Sequence, residues 1–398
     1  MSRKKASCGE ELLQKISAAK AKRIEIQRQG QRDREPNLMQ LSHALDEYYI
    51  LEKLRTYCSY LSYRLMVNDA LIGYEKQDFR LLPYILEIVH QETNWHPAVK
   101  IFYQLSQLLD IPSTEQQSFA GKQTTFTSIE KLLDQYYSVL SSDDLTEIHS
   151  HLTNYSTYQL NNGRYEFLSK NIMHNQRVIT LQEQEGEAFE ISAGVYTNLV
   201  RLILKTAQGN NTDPDGRPIV GQDTEVFNRA HQFADRYQDK LPGAVREKYY
   251  AYGKALIYFR SGNYEAAFQW IKDLDRIREL FINFDIKVLR LQLLLEMDII
   301  DDRRLEREGM IMEDEIESLR SMLKYDKYNS PKLAYQSEYF QEFLNLFRKL
   351  YHFYNKHAWM FRFGDAVYHH QRKVLLAEML ACRYPYQQWF LAKLEAIK

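Results

Sequence analysis

The stretch from Lys248 to Leu274, KYYAYGKALIYFRSGNYEAAFQWIKDL, constrains the fold of this chain more than any other. It predicts two short helices joined by a tight turn at Ser261-Gly262-Asn263. Ala255 and Ala267 fall where two helices cross closely, and Tyr258, Phe259, Tyr264, Phe268 and Trp270 fill the faces around them. A hairpin of this size cannot bury its apolar face alone and has to stack on neighbouring helices. Stacked units present an extended surface suited to binding other proteins rather than a closed active site.

The remaining sequence supplies those neighbours. Leu51, Leu54, Cys58, Leu61 and Leu65 recur at spacings of three and four, which places them on one helix face. Further helices are predicted over 77–91, with Pro83 in the first two turns where a missing N–H costs least, and over 96–109. Residues 112–125 read as a loop containing Gly121, followed by a helix over 126–140. Ser141-Ser142-Asp143-Asp144 reads as an N-cap with acid in the first turn. The helix it opens stops at Asn161-Asn162-Gly163. Segments 164–183 and 191–207 form the next pair. After the polar break 209–222, helical period returns over 223–240, 243–261, 263–275, 280–298, 304–326, 331–357, 365–383 and 385–397. No segment alternates convincingly enough to be a strand. The expected organisation is a basic, partly flexible leader (1–36), an N-terminal helical-repeat half (37–208), a loop (209–222) and a C-terminal half (223–398).

Composition agrees with a helical chain. Only 15 Gly and 9 Pro occur in 398 residues, which disfavours a fold rich in strands and turns. The 29 Tyr and 19 Phe read as wedges between helix layers. With 52 basic and 53 acidic side chains the net charge is −1, which supplies no strong field for nucleic acid or anionic lipid. Cys8, Cys58 and Cys382 form no CxxC pair, which points to a reducing, cytoplasmic setting. No run of 18 apolar residues predicts a membrane span, and the charged start lacks the apolar core of a secretory signal.

The 248–274 hairpin resembles the helix-turn-helix unit of a tetratricopeptide repeat. Features outside it extend the likeness. The segments 45–58 (LDEYYILEKLRTYC), 284–296 (FDIKVLRLQLLLE), 315–323 (EIESLRSML) and 388–397 (QWFLAKLEAI) are similar, in that order, to helices of an uncharacterised bacterial family of tetratricopeptide-like helical-repeat proteins. The resemblance spans about residues 40–398 and implies an α-α superhelix of antiparallel helix pairs. It implies no activity and no site residues. The basic leader and the 209–222 loop depart from the pattern.

Chemistry-bearing motifs are weak. Asn211, Asp213, Asp215 and Gly216 match the first positions of a calcium-binding EF-hand loop, but Gln222 stands where a bidentate Glu is needed. Asp-Pro-Asp-Gly is in any case a good turn sequence, so a plain connector is expected. His149 and His151, and His369 and His370, lack the i,i+4 spacing of a helical zinc pair; exposed or hydrogen-bonded histidines are expected, and no metal. The run Trp359–Phe363 near His369, His370, Arg372 and Lys373 mixes aromatic and basic residues as single-strand nucleic-acid surfaces do, and equally as a packed helix junction does. No phosphate-binding glycine loop and no nucleophile elbow occurs.

The sequence thus reads as an all-α, tetratricopeptide-like solenoid acting as a non-enzymatic scaffold, without a cofactor, that binds a protein or peptide on a helical-repeat surface. Tyr250, Tyr258 and Arg260, on the first helix of the best repeat, are the candidate contact residues. The alternative is a nucleic-acid-binding regulator that uses the 1–36 leader. The identity of the partner and the oligomeric state are not encoded in any motif.

Overall fold

Helical period in the sequence becomes helix throughout the computed structural model. It describes residues 7–28, 38–66, 79–92, 94–111, 119–186, 189–210, 224–274, 280–300, 312–329, 334–363, 365–381 and 387–397. Among these residues there are sixteen α-helices and no strand, and 88% is helical. The chain divides into two units, Met1–Thr206 and Ala207–Lys398.

The first unit contains α1 (Cys8–Arg28), α2 (Leu38–Met66), α3 (Leu82–Gln91), α4 (Pro97–Leu109), α5 (Phe119–Tyr136), α6 (Ser142–Asn161), α7 (Leu168–Glu185) and most of α8 (Ala193–Asn210). The stripe Leu51, Leu54, Cys58 and Leu61 is fully buried at its centre, while Leu65 is half-buried. Helix α2 packs on α1, α4 and α6, and α6 packs on α7. Phe102, Leu105, Ile148, Leu152 and Tyr155 complete this core. Ser141 caps α6, and the cap is reciprocal: the Asp144 amide donates to Ser141 Oγ (3.1 Å) and the Ser141 amide to Asp144 Oδ2 (3.1 Å). The helix ends at Asn161, and Gly163 follows with φ 80°, a left-handed conformation that glycine adopts without a Cβ penalty.

Within the 1–36 leader, residues 8–28 form α1, and Cys8, Leu12 and Ile16 are buried at i, i+4, i+8 against the unit. Of the apolar series Leu12, Leu13, Ile16, Ile24 and Ile26 that suggests a weak amphipathic helix here, Leu12 and Ile16 are buried and Leu13 and Ile24 are exposed. The loop expected over 112–125 is too long. Helix α5 starts at Phe119 and contains Gly121, whose position a Cβ would fill without touching anything within 4 Å.

The second unit contains α9 (Thr224–Tyr237), α10 (Arg246–Arg260), α11 (Tyr264–Ile271), α12 (Leu280–Ile300), α13 (Met312–Asn329), α14 (Ala334–Phe363), α15 (Asp365–Ala381) and α16 (Gln387–Ala396). Each helix packs on the next in chain order, from α9 on α10 through α15 on α16. The α10–α11 hairpin has the geometry its sequence predicts. Gly262 takes φ 79°, Asn263 Oδ1 caps α11 by accepting from the Ala266 amide (3.1 Å), and Ala255 and Ala267 are fully buried. Side chains of α16 also return to α12. Glu296 of α12 is buried and accepts hydrogen bonds from Trp389 Nε1 (2.9 Å) and Lys393 Nζ (2.5 Å). Among the described residues no helix is long and apolar enough to cross a membrane.

Candidate functional site

Helix α9 buries Val226, Ala230, Ala234 and Tyr237. His231 and Asp235 follow the two alanines by one residue, so they line the edge of the buried stripe, one helical turn apart. On α10, Tyr250, Lys254 and Tyr258 repeat at i, i+4 and i+8 and form the facing line. The two lines interlock. Tyr250 donates its hydroxyl hydrogen to Asp235 Oδ1 (2.7 Å), and the Lys254 ammonium pairs with the same oxygen (2.7 Å). Lys254 also donates to His231 Nδ1 (3.0 Å), which fixes that nitrogen as an acceptor. The Tyr258 ring meets the His231 ring at 5.0 Å and 61°, and the Tyr250 ring meets Trp270 of α11 edge-on at 5.6 Å and 89°. Lys254 Nζ lies 5.5 Å from the centre of the Tyr250 ring.

The electrostatics follow from burial and this one ion pair. Burial and then the neighbouring Lys254 charge hold His231 below its ordinary pKa, so it is neutral. Burial acts to raise the Asp235 carboxyl, but hydrogen bonds from Lys254 and Tyr250 outweigh it and the pKa falls. Burial and the hydrogen bond to Asp235 push the Tyr250 phenol up, so it stays a donor. Tyr250, Lys254, Asp235 and His231 Nδ1 thus hold one another. The seam therefore positions side chains: Tyr250 and Tyr258 are half-buried and Trp270 is 37% exposed, each ring fixed by a polar or edge contact.

The structure brings two of the three sequence-predicted residues, Tyr250 and Tyr258, into this one seam. Arg260 is exposed on another face of α10, near Tyr264, whose phenol burial and then Glu296 push up while the Arg260 charge opposes them weakly. His231 and Asp235 were missed from the sequence. Their only signal was the i,i+4 pair set one position after the Ala230/Ala234 stripe.

Other polar clusters lie in the first unit. The Cys8 thiol donates to His96 Nδ1 (2.9 Å), which also accepts from the Ala98 amide (3.2 Å). Burial, then the Asp144 charge, pushes the Cys8 thiol up to about 12, so it is not a thiolate nucleophile. The Cys8 amide donates to Asp144 Oδ2 (2.9 Å), and Arg55 pairs with Asp144 and Glu147 (3.4 Å). His149 and His151 take different partners: His149 Nδ1 meets His174 Nδ1 (2.9 Å) and His151 Nδ1 meets Ser62 Oγ (2.7 Å). Among the described residues no group of three or more His, Cys, Asp or Glu is placed to hold a metal ion. The candidate calcium positions Asn211, Asp213, Asp215 and Gln222, like the side chains of Trp359–Phe363, lie outside the described residues. No protein-family model, curated protein or solved structure matches the chain.

Proposed function

We propose that this protein is a non-enzymatic interaction scaffold in the cytoplasm, that α10 and α11 form a tetratricopeptide-like unit, and that Tyr250, Tyr258 and Trp270 dock a protein or peptide partner. The observation that carries this reading is the fixing of three half-exposed aromatic rings, Tyr250 by its hydrogen bond to Asp235 and Tyr258 and Trp270 by ring contacts with His231 and Tyr250. Large amphipathic rings held in place lose little conformational entropy on binding, which is why Tyr and Trp dominate binding hot spots. Packing of the second unit in chain order supports the repeat reading, because repeat units contact mainly their neighbours.

The test uses tagged full-length protein and quantitative mass spectrometry of the proteins it retains. Tyr258→Ala and Trp270→Ala, each with an unchanged melting temperature, should lose at least tenfold of a specific co-purifying protein. Arg260→Ala, off the seam, should retain it. Equal recovery with all variants removes this patch as the docking surface.

A further inference from the structure

Helix α1 is buried only over its first half. Cys8, Leu12 and Ile16 are buried, and none of the described side chains from Ser17 to Glu25 is. Polar contacts of the first turn add to that attachment. The Cys8 amide donates to Asp144 Oδ2 of α6 (2.9 Å), and the Cys8 thiol donates to Nδ1 of His96, at the start of α4 (2.9 Å).

His96 serves two helices at once. It is the N-cap of α4, and its Nδ1 accepts the Ala98 amide (3.2 Å) as well as the Cys8 thiol. A backbone amide can only donate, so this nitrogen carries no proton and the ring is the neutral Nε2–H tautomer. A further proton has to go on Nδ1. There it turns an acceptor into a donor that faces an amide N–H and a thiol hydrogen. The cap of α4 is then lost, and the thiol keeps only the weak acceptance of its sulfur.

The described charged groups that act on His96 come from three helices: Glu11 and Lys15 of α1, Glu47 of α2 and Asp144 of α6. Glu47 Oε1 also accepts the His96 amide (2.6 Å), and Lys15 is paired with Glu11 (3.2 Å). The three carboxylates favour a charged ring, but burial outweighs them and holds the pKa below 6.5. Helix α1 supplies part of that burial, since the Cys8 sulfur lies 2.9 and 3.6 Å from the two ring nitrogens.

We infer that His96 is a proton-operated latch: α1 is docked on the first unit while Nδ1 is bare and is released when Nδ1 takes a proton. The docked ring has a lower pKa than an exposed one, so docking is fully favoured above pH 6.5 and weakens as pH falls through the pKa of the docked form. The latch lies within the first unit and is independent of the docking reading of the second.

Hydrogen exchange of the full-length protein at pH 7.5 and pH 5.5 tests it, with rates expressed as protection factors so that the intrinsic pH dependence drops out. Protection of the α1 amides at 9–16 should fall about threefold or more at the lower pH, within the limit of about tenfold per pH unit that one proton sets. Asn is a good N-cap and does not titrate. In His96→Asn the same amides should be equally protected at both pH values. In His149→Gln the fall should persist, which separates the latch from the α6–α7 histidine pair. Imidazole 15N spectra need no variant: His96 should be the Nε2–H tautomer at pH 7.5, and the midpoint of its protonation should match that of the fall in α1 protection. An equal fall in His96→Asn overturns the inference, as do an Nδ1–H tautomer, mismatched midpoints or a fall abolished by His149→Gln.

Discussion

Ala267 and Glu296 are both buried in the second unit, yet their substitutions fail for different reasons. Ala267 is fully buried in the α10–α11 hairpin. Ala267→Arg overpacks that crossing and buries an unpaired charge, so it should destabilise by several kcal/mol, on the order of 3 or more, in a urea titration. A melting temperature unchanged within a degree would show that the crossing is loose. The Glu296 carboxylate is tolerated in the core because Trp389 and Lys393 satisfy it, and the Tyr264 hydroxyl bonds to it as well. Lys393→Ala leaves that charge with neutral donors only. It should cost about 3 kcal/mol, and Glu296→Gln combined with Lys393→Ala should cost less than the single change, because the stranded charge is gone. Ala267 was legible in the sequence, since a small residue among aromatics marks a close helix approach. Glu296 was not, because nothing local distinguishes it from a solvated glutamate.

At the scale of elements, Asp144 does two jobs that the sequence showed only in part. Its place in the first turn of α6 made the N-cap with first-turn acid readable. That it also receives the Cys8 amide and the Arg55 guanidinium depends on α1 and α2 arriving from elsewhere in the chain. Ser141→Ala should remove only the cap and cost about 1 kcal/mol. Asp144→Ala should cost more, because it also releases the start of α1 and takes one of its carboxylate partners from Arg55, which keeps Glu52 and Glu147. Hydrogen-exchange mass spectrometry distinguishes the two. In Asp144→Ala the amides of 8–16 should lose protection, whereas in Ser141→Ala the loss should stay within the first turn of α6. Equal patterns in the two variants would mean that α1 is held by Leu12 and Ile16 alone.

For the molecule as a whole, the first unit contains a built-in acid sensitivity. Burial holds His149 down to about 4 and, with the neighbouring His149 and Lys170 charges, His174 down to about 3, against 6.5 for an ordinary histidine. As pH falls, the unfolded chain takes up these protons before the folded one does. The stability from the neutral pair is therefore complete above pH 6.5 and is lost as pH falls from there toward 4. His149 alone accounts for roughly 3 kcal/mol of that loss. Urea titrations at pH 7.5 and pH 4.5 should show it, with exchange protection falling first in α6 and α7. His149→Gln should flatten the profile, and an unaltered profile would show that other groups set it.

The sequence by itself determined the helices. A period of 3.6 residues, the Ser141 cap and the glycines at 163 and 262 act within one or two turns, so residues close in the chain carry the whole signal. The same locality explains one error: Gly121 was taken for a loop residue, though it lies inside α5. Only the tertiary structure decided the partners. His149 meets His174 across 25 residues, Glu296 meets Lys393 across 97, and Cys8 meets Asp144 across 136. It also set His231 and Asp235 against Tyr250, Lys254 and Tyr258, and turned Arg260 away from them. Those pairings depend on which helix face meets which, and helix packing energy is spread over many weak apolar contacts rather than written at any one position.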